Sequence, residues 1–401
     1  MKILQINTVC GVGSTGRIAN GISEVCRKSG VENYIAYGYG KTSFPYSYRI
    51  GTNFDYYTHN ILSRLFCQQG NYSVKATKNF LAWIEEIQPD IIHLHNLHGN
   101  FINIDLLFDY IKQTRLPCVW TLHDCWSFTG KCTHFDYVNC DKWREGCYSC
   151  PQLKNYPQSL FIDNTNKHYQ RKKKLFGSID NLTIVTPSKW LAGLVKDSFL
   201  GKSPVKVINN GIDLNIFKPT KSDWIHKHNL ENKFIILGVA SGWEERKGLK
   251  YFLRLAESFD DNQQIILVGL TEKQKKSLPS NIIGITRTNN IKELAEIYSA
   301  ADVFVNPTLE DNFPTTNIES LACGTPVITF NTGGSGESLD DTCGLVVNKE
   351  DFVALLNAIE YVRKERPFNS EACVRRARTL YGQEDRYTDY LTLYKTIKEN
   401  V

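Results

Sequence analysis

Lys2-Ile3-Leu4-Gln5-Ile6-Asn7, followed by Gly11-Val12-Gly13-Ser14-Thr15-Gly16, opens the chain as an apolar strand running into a glycine loop. A helix over Gly16–Ser29 follows, so the chain starts as a strand–loop–helix unit of a parallel sheet. In such sheets ligands bind beyond the carboxyl ends of the strands, where loop amides and a helix N-terminus can hold an anion. Gly11, Gly13 and Gly16 match the dinucleotide pattern G-x-G-x-x-G, which alone is a weak signal. The next strand, Tyr34–Tyr37, ends at Gly38 without the acid that would hold a ribose, and this disfavours a nicotinamide cofactor.

The alternation continues outward from there. Further strands are expected at Asp90–Leu94, Cys118–Leu122, Leu182–Pro187 and Val205–Ile208. After the turn-rich Asn210-Gly211-Ile212-Asp213 a second series begins with Phe234–Val239, then Gln264–Val268, Ile282–Gly284, Val303–Asn306, Val327–Phe330 and Gly344–Val346. The expected fold class is α/β, with two Rossmann-like parallel-sheet domains facing across a cleft. The expected domains are 1–213, with a Cys-rich insertion at about 125–151, then 214–384, then a helix over 385–401 that packs back on the first.

Composition agrees with 401 residues arranged as two cores: 42% hydrophobic and 22% charged, which is ordinary for a globular chain. No apolar run approaches the ~18 residues of a membrane helix. The chain goes directly into its first strand with no separate apolar leader, so the expectation is a cytoplasmic protein with reduced thiols. A net charge of +5 does not imply nucleic acid. The basic run Lys167–Lys174 reads either as a solvated helix face or as a patch that rests on anionic lipid at the membrane's inner face.

Several strand-end loops carry polar groups suited to a sugar. His95, Asn96, His123, Asp124 and Trp126 follow two buried strands, where they can meet sugar hydroxyls. Arg246 and Lys247 follow Phe234–Val239 and can neutralise a diphosphate. Glu310 and Asp311 follow Val303–Asn306, with Asn312-Phe313-Pro314-Thr315 leading to Glu319, which can accept ribose hydroxyls. Cys132, Cys140, Cys147 and Cys150 are dense enough for a structural zinc site, although only Cys147-x2-Cys150 has knuckle spacing; buried free thiols are the alternative.

The set resembles the retaining glycosyltransferases of family 4, which have the two-Rossmann GT-B fold. Asn306–Val327 is similar to that family's E-x7-E region, and the loop after His123-Asp124-Cys125-Trp126 is similar to its colanic acid and capsule members. The resemblance implies a nucleotide diphosphate sugar on the C-terminal domain, with Lys247 on the diphosphate and Glu319 on the ribose. Gly11 and Gly13 would approach the phosphates and His123 the donor sugar, with no metal or other cofactor needed for catalysis. Asn312, Phe313, Pro314 and Thr315 would complete the donor site. His95, Asn96, Asp124 and Trp126 would face the acceptor, a glycan or lipid-linked glycan. His123, Arg246, Lys247, Glu310 and Asp311 are the catalytic candidates. Spacing of eight to Glu319 falls on Asp311 where the family has Glu, with Glu310 adjacent. The family's Arg before the Lys falls at Gly242 or Ser241, so Arg246 is its candidate substitute. A sugar-nucleotide epimerase of the same fold and a non-catalytic sugar-nucleotide-binding subunit are the alternatives.

Overall fold

In the computed structural model, which describes residues 1–400, the chain divides into two units. Unit 1 holds Met1–Asn209 and Glu384–Val401, and unit 2 holds Asn210–Gln383. The boundary precedes Asp213 because Ile212 belongs to unit 2: its amide donates to Tyr381 O and its carbonyl accepts from Gln383 N.

Unit 1 carries strands β1 (Lys2–Asn7), β2 (Glu32–Tyr37), β3 (Ser47–Arg49), β4 (Ile91–Leu94), β5 (Cys118–Thr121), β6 (Leu182–Thr186) and β7 (Val205–Val207). All pair in parallel in the order β3-β2-β1-β4-β5-β6-β7. Unit 2 carries β8 (Phe234–Val239), β9 (Gln263–Val268), β10 (Ile282–Ile285), β11 (Val303–Asn306), β12 (Val327–Asn331) and β13 (Gly344–Asn348). Their order is β10-β9-β8-β11-β12-β13, again all parallel. Strand order reverses between β1 and β4 in one sheet and between β8 and β11 in the other. In parallel sheets such a reversal, beyond the strands' carboxyl ends, is where ligands bind.

The central strands β1, β4, β5, β8 and β11 are buried on both faces because helices cover both. Gly13–Lys28 buries Ala19, Ile22, Ser23 and Cys26, spaced for one helical stripe. The C-terminal helix Gln383–Glu399 buries Tyr387, Tyr390, Leu391 and Tyr394 against Ile3, Ile18, Val119 and Val185 of unit 1. Its polar tips are satisfied as well: Tyr394 OH pairs with His93 Nδ1 at 2.5 Å, and Lys398 Nζ with Asp90 at 2.7 Å.

The run Lys167–Lys174 lies on the helix Thr165–Phe176, which buries His168, Tyr169, Lys172 and Phe176. Lys172 has no exposed surface: its ammonium donates to Trp126 O and sits 4.0 Å over the Trp126 ring. Burial lowers its pKa to about 7. Arg171 pairs with Asp105. The run is therefore no continuous lipid-facing pad, since two of its cations are held by the protein itself. Among the described residues no helix is long and apolar enough to cross a membrane.

Candidate functional site

In unit 2 the loops after β8 and β11, on either side of the strand reversal, are stitched together. Leu309 N donates to Arg246 O at 2.7 Å, so the turn Glu245–Lys247 lies against the loop that follows β11. Lys247 Nζ then meets Asp311 Oδ2 at 2.6 Å, both side chains about one-fifth exposed. Arg246 lies alongside, its Nε on Glu244 at 2.9 Å and its Nη1 on the Glu310 carbonyl at 3.4 Å. Glu310 itself is 4% exposed. Of the two candidate acids, Asp311 is the one that shares space with the cation.

A third loop, after β12, backs this arrangement. Gly333 has φ +55°, and a Cβ there would lie 1.7 Å from Asp311 O, so only glycine permits the approach. Thr332 Oγ1 donates to Leu309 O at 3.1 Å. Glu319, in the helix Thr315–Ala322, receives the Tyr298 hydroxyl on Oε2 at 3.2 Å. Tyr298 is fully buried, and burial together with the Glu319 charge holds its pKa well above the usual value. Asn312 and Phe313 are buried, and Phe313 O accepts from Asn210 Nδ2 at 3.3 Å. Pro314 caps the helix and Thr315 begins it. A cavity of about 500 Å³ lined by Asp302, Thr325 and Pro326 lies at the opposite, amino ends of β11 and β12.

In unit 1 the glycine loop after β1 leads into a helix with no side-chain cap and no acid in its first turn, so its amides stay available to an anion. Gly13 has φ +65° with nothing within 4 Å of a built Cβ. Backbone conformation rather than crowding therefore demands glycine there, and the space above it is open.

After β4 and β5 the histidines form a chain. His95 Nε2 pairs with Gln5 at 2.9 Å and its Nδ1 with His123 Nε2 at 3.1 Å. His95 is 1% exposed with both nitrogens engaged, so it orients His123 and has nothing left to offer an acceptor. Burial lowers the His123 pKa to about 4. Trp126, at 1% exposure, is likewise a core residue and no stacking platform. Asn96 is held through its backbone by Asn7 and Thr8. Asp124 meets His98 at 2.9 Å, and His98 also meets the Tyr156 hydroxyl at 3.1 Å. Burial works to raise the Asp124 pKa, but the charge and hydrogen bond of His98 win and lower it.

His98, Tyr156 and Tyr298 were not singled out by sequence. His98 belongs to a His-rich run, but Tyr156 and Tyr298 carry no spacing signal that would mark them.

The four cysteines of the insertion, Cys132, Cys140, Cys147 and Cys150, are half-buried thiols. Cys132 and Cys150 lie 3.9 Å apart, and Cys147 accepts from Gly130 N. No group of three or more His, Cys, Asp or Glu among the described residues is placed to hold a metal ion. The hydrogen bond the two thiols share lowers the pKa of Cys150 and raises that of Cys132.

Two all-parallel sheets, each with polar strand-end loops at its reversal, are the architecture of GT-B glycosyltransferases. Residues 17–216 match the model of Glycosyltransferase Family 4, and residues 233–364 match that of Glycosyl transferases group 1. The chain belongs to the family 4 glycosyltransferases. It is 24% identical to a protein of Escherichia coli (strain K12) named for colanic acid biosynthesis glycosyl transfer, over 99% of this chain and 100% of that one. It is also 24% identical, over 44% of its length and 49% of the relative's, to an Escherichia coli UDP-Gal:alpha-D-GlcNAc-diphosphoundecaprenol alpha-1,3-galactosyltransferase. In fold it is similar to an Anabaena protein crystallised with UDP and glucose, with TM-score 0.69 at 14% identity over 99% of this chain and 100% of that one.

Proposed function

We propose that this protein transfers a hexose or N-acetylhexosamine from a nucleotide diphosphate sugar to a growing, lipid-linked glycan during surface polysaccharide synthesis, with retention of anomeric configuration. The observation that carries this reading is the Lys247–Asp311 pair with Arg246 beside it at the strand reversal of unit 2. A diphosphate is the ligand that two adjacent cations suit, and Glu319 is the carboxylate proposed for the ribose. The relatives named for sugar transfer and the UDP-bound neighbour support the same donor class.

In the proposed reaction the bond from anomeric carbon to diphosphate oxygen breaks, and the acceptor oxygen bonds to that carbon on the same face. The electron pair leaves with the diphosphate, where Arg246 and Lys247 stabilise it. The departing phosphate oxygen takes the acceptor's proton, so no enzymic nucleophile and no metal is required. In unit 1, Asn96 and Asp124 are assigned to the acceptor and His123 to the donor sugar.

The test is to incubate the protein with candidate donors, with and without lipid-linked acceptor, and follow free nucleotide diphosphate. Acceptor-dependent release supports transfer. Conversion of donor alone would instead favour an epimerase, and no release with any donor would favour a non-catalytic subunit.

A further inference from the structure

We propose that the outward face of the helix Asn53–Phe66, with the loop around Phe161, is a docking surface for an anionic lipid bilayer; the inference rests on the lipid-linked acceptor reading above. This helix is polar inward and apolar outward. Its buried side chains are His59 and Ser63, whereas Phe54 is 79% exposed, Ile61 58% and Tyr57 55%. His59 explains the inversion: it bridges Ser73 Oγ at 2.8 Å and Gly70 N at 3.2 Å, so the helix is pinned through its polar side.

The apolar surface continues beyond the helix. Leu160 N donates to Arg64 O, and Asn164 Nδ2 donates to Phe66 O, each at 2.8 Å. These bonds fasten the loop to the helix end and bring Phe161, 77% exposed, to the same region as Phe66. Contiguous exposed apolar groups of this size mark an interaction site.

Charge selects the partner. The acids of these two segments are engaged locally: Asp55 closes a capping box with Thr52, and Asp163 accepts from Cys150 N and Thr165. Arg64, Lys154 and Lys167 are exposed and without such bonds. An apolar face with exposed cations on the same two segments suits anionic headgroups over acyl chains, whereas protein interface cores are depleted of Lys. The same loop carries Tyr156, which holds His98 beside Asp124, so docking face and acceptor residues share one segment.

The test is co-sedimentation of the full chain with phosphatidylcholine vesicles, with and without phosphatidylglycerol. Binding should require the anionic lipid, weaken with salt, and fall about tenfold or more in the Phe54→Ser/Phe161→Ser variant. Both side chains are more than three-quarters exposed, so the fold should persist, which circular dichroism checks. The charge variant Arg64→Glu/Lys167→Glu should lose the anionic preference. Unchanged vesicle binding in both variants, or none by the native chain, overturns the proposal. A native dimer that the first variant dissociates would also overturn it, making the face a protein interface. Sugar transfer without vesicle binding sinks only this inference; vesicle binding with no donor turnover sinks only the transferase reading.

Discussion

Lys247 Nζ lies 2.6 Å from Asp311 Oδ2, so the cation proposed for the donor's diphosphate is already paired with the acid proposed for its sugar. Without donor, each neutralises the other in a partly buried site. Donor binding must exchange this carboxylate for phosphate on the lysine and leave Asp311 to the sugar hydroxyls. Asp311→Asn removes the competitor, so nucleotide diphosphate should bind severalfold tighter while kcat falls roughly 100-fold with the lost sugar contact. Lys247→Ala should lower kcat about 100- to 1000-fold. Calorimetric titration with the nucleotide and steady-state turnover check both. An Asp311→Asn enzyme that binds nucleotide more weakly would contradict the exchange.

The Glu319 carboxylate, proposed to hold the donor's ribose, accepts the Tyr298 hydroxyl at 3.2 Å from inside the core. Glu319→Ala should weaken nucleotide diphosphate binding about 10- to 100-fold and leave inorganic pyrophosphate binding unchanged. Tyr298→Phe should act through the donor KM, with kcat nearly constant, because it loosens a positioning bond. Equal losses for nucleotide and pyrophosphate would mean Glu319 does not see the ribose.

The sequence was most legible where burial and periodicity coincide. β1, β8 and β11 are read to the residue, because each is an apolar run bounded by turn or site residues. β3 escaped because Ser47, Tyr48 and Arg49 form a half-buried edge with no apolar signal. The helix Asn53–Phe66 escaped because its apolar side chains face outward, against the pattern a reader trusts. The helix Ser370–Tyr381 buries mainly small residues, Ala372, Cys373 and Ala377, which leave a faint stripe. In the site, residue types at strand ends were visible, but burial was not. His95 and Trp126 look like ligand residues by position and are core residues by environment.

Five histidines should make stability pH-dependent. Burial lowers the pKa of His59 and His93 to about 3 and that of His123 to about 4, and holds His95 and His168 well below the usual value. The unfolded chain protonates these groups near pH 6.5 while the folded chain does not. Stability is therefore fully present above about pH 6.5 and is lost as pH falls from there toward 4, by up to ~1.4 kcal/mol per pH unit for each histidine. Urea midpoints at pH 7.5 and pH 5.5 measure this. A midpoint that stays constant between them would mean that these rings are solvated in the native state.

The C-terminal helix should matter to unit 1 as much as any strand does. Tyr394 is fully buried, and its hydroxyl meets His93 Nδ1, whose other nitrogen meets Thr121, which in turn donates to Tyr390. The chain of bonds ties Gln383–Glu399 to β4 and β5 directly beneath His95 and His123. Tyr394→Phe keeps the ring packing and orphans one buried nitrogen, at about 1–3 kcal/mol. Tyr394→Ala adds a cavity and should cost about 3–5 kcal/mol. Because the His93 and His95 ring centroids lie 4.1 Å apart, the Phe variant should also shift the His123 titration seen by NMR, while nucleotide binding to unit 2 stays unchanged. A Phe variant that is as stable as the native chain, with His123 unmoved, would show the terminal helix to be a passive cover.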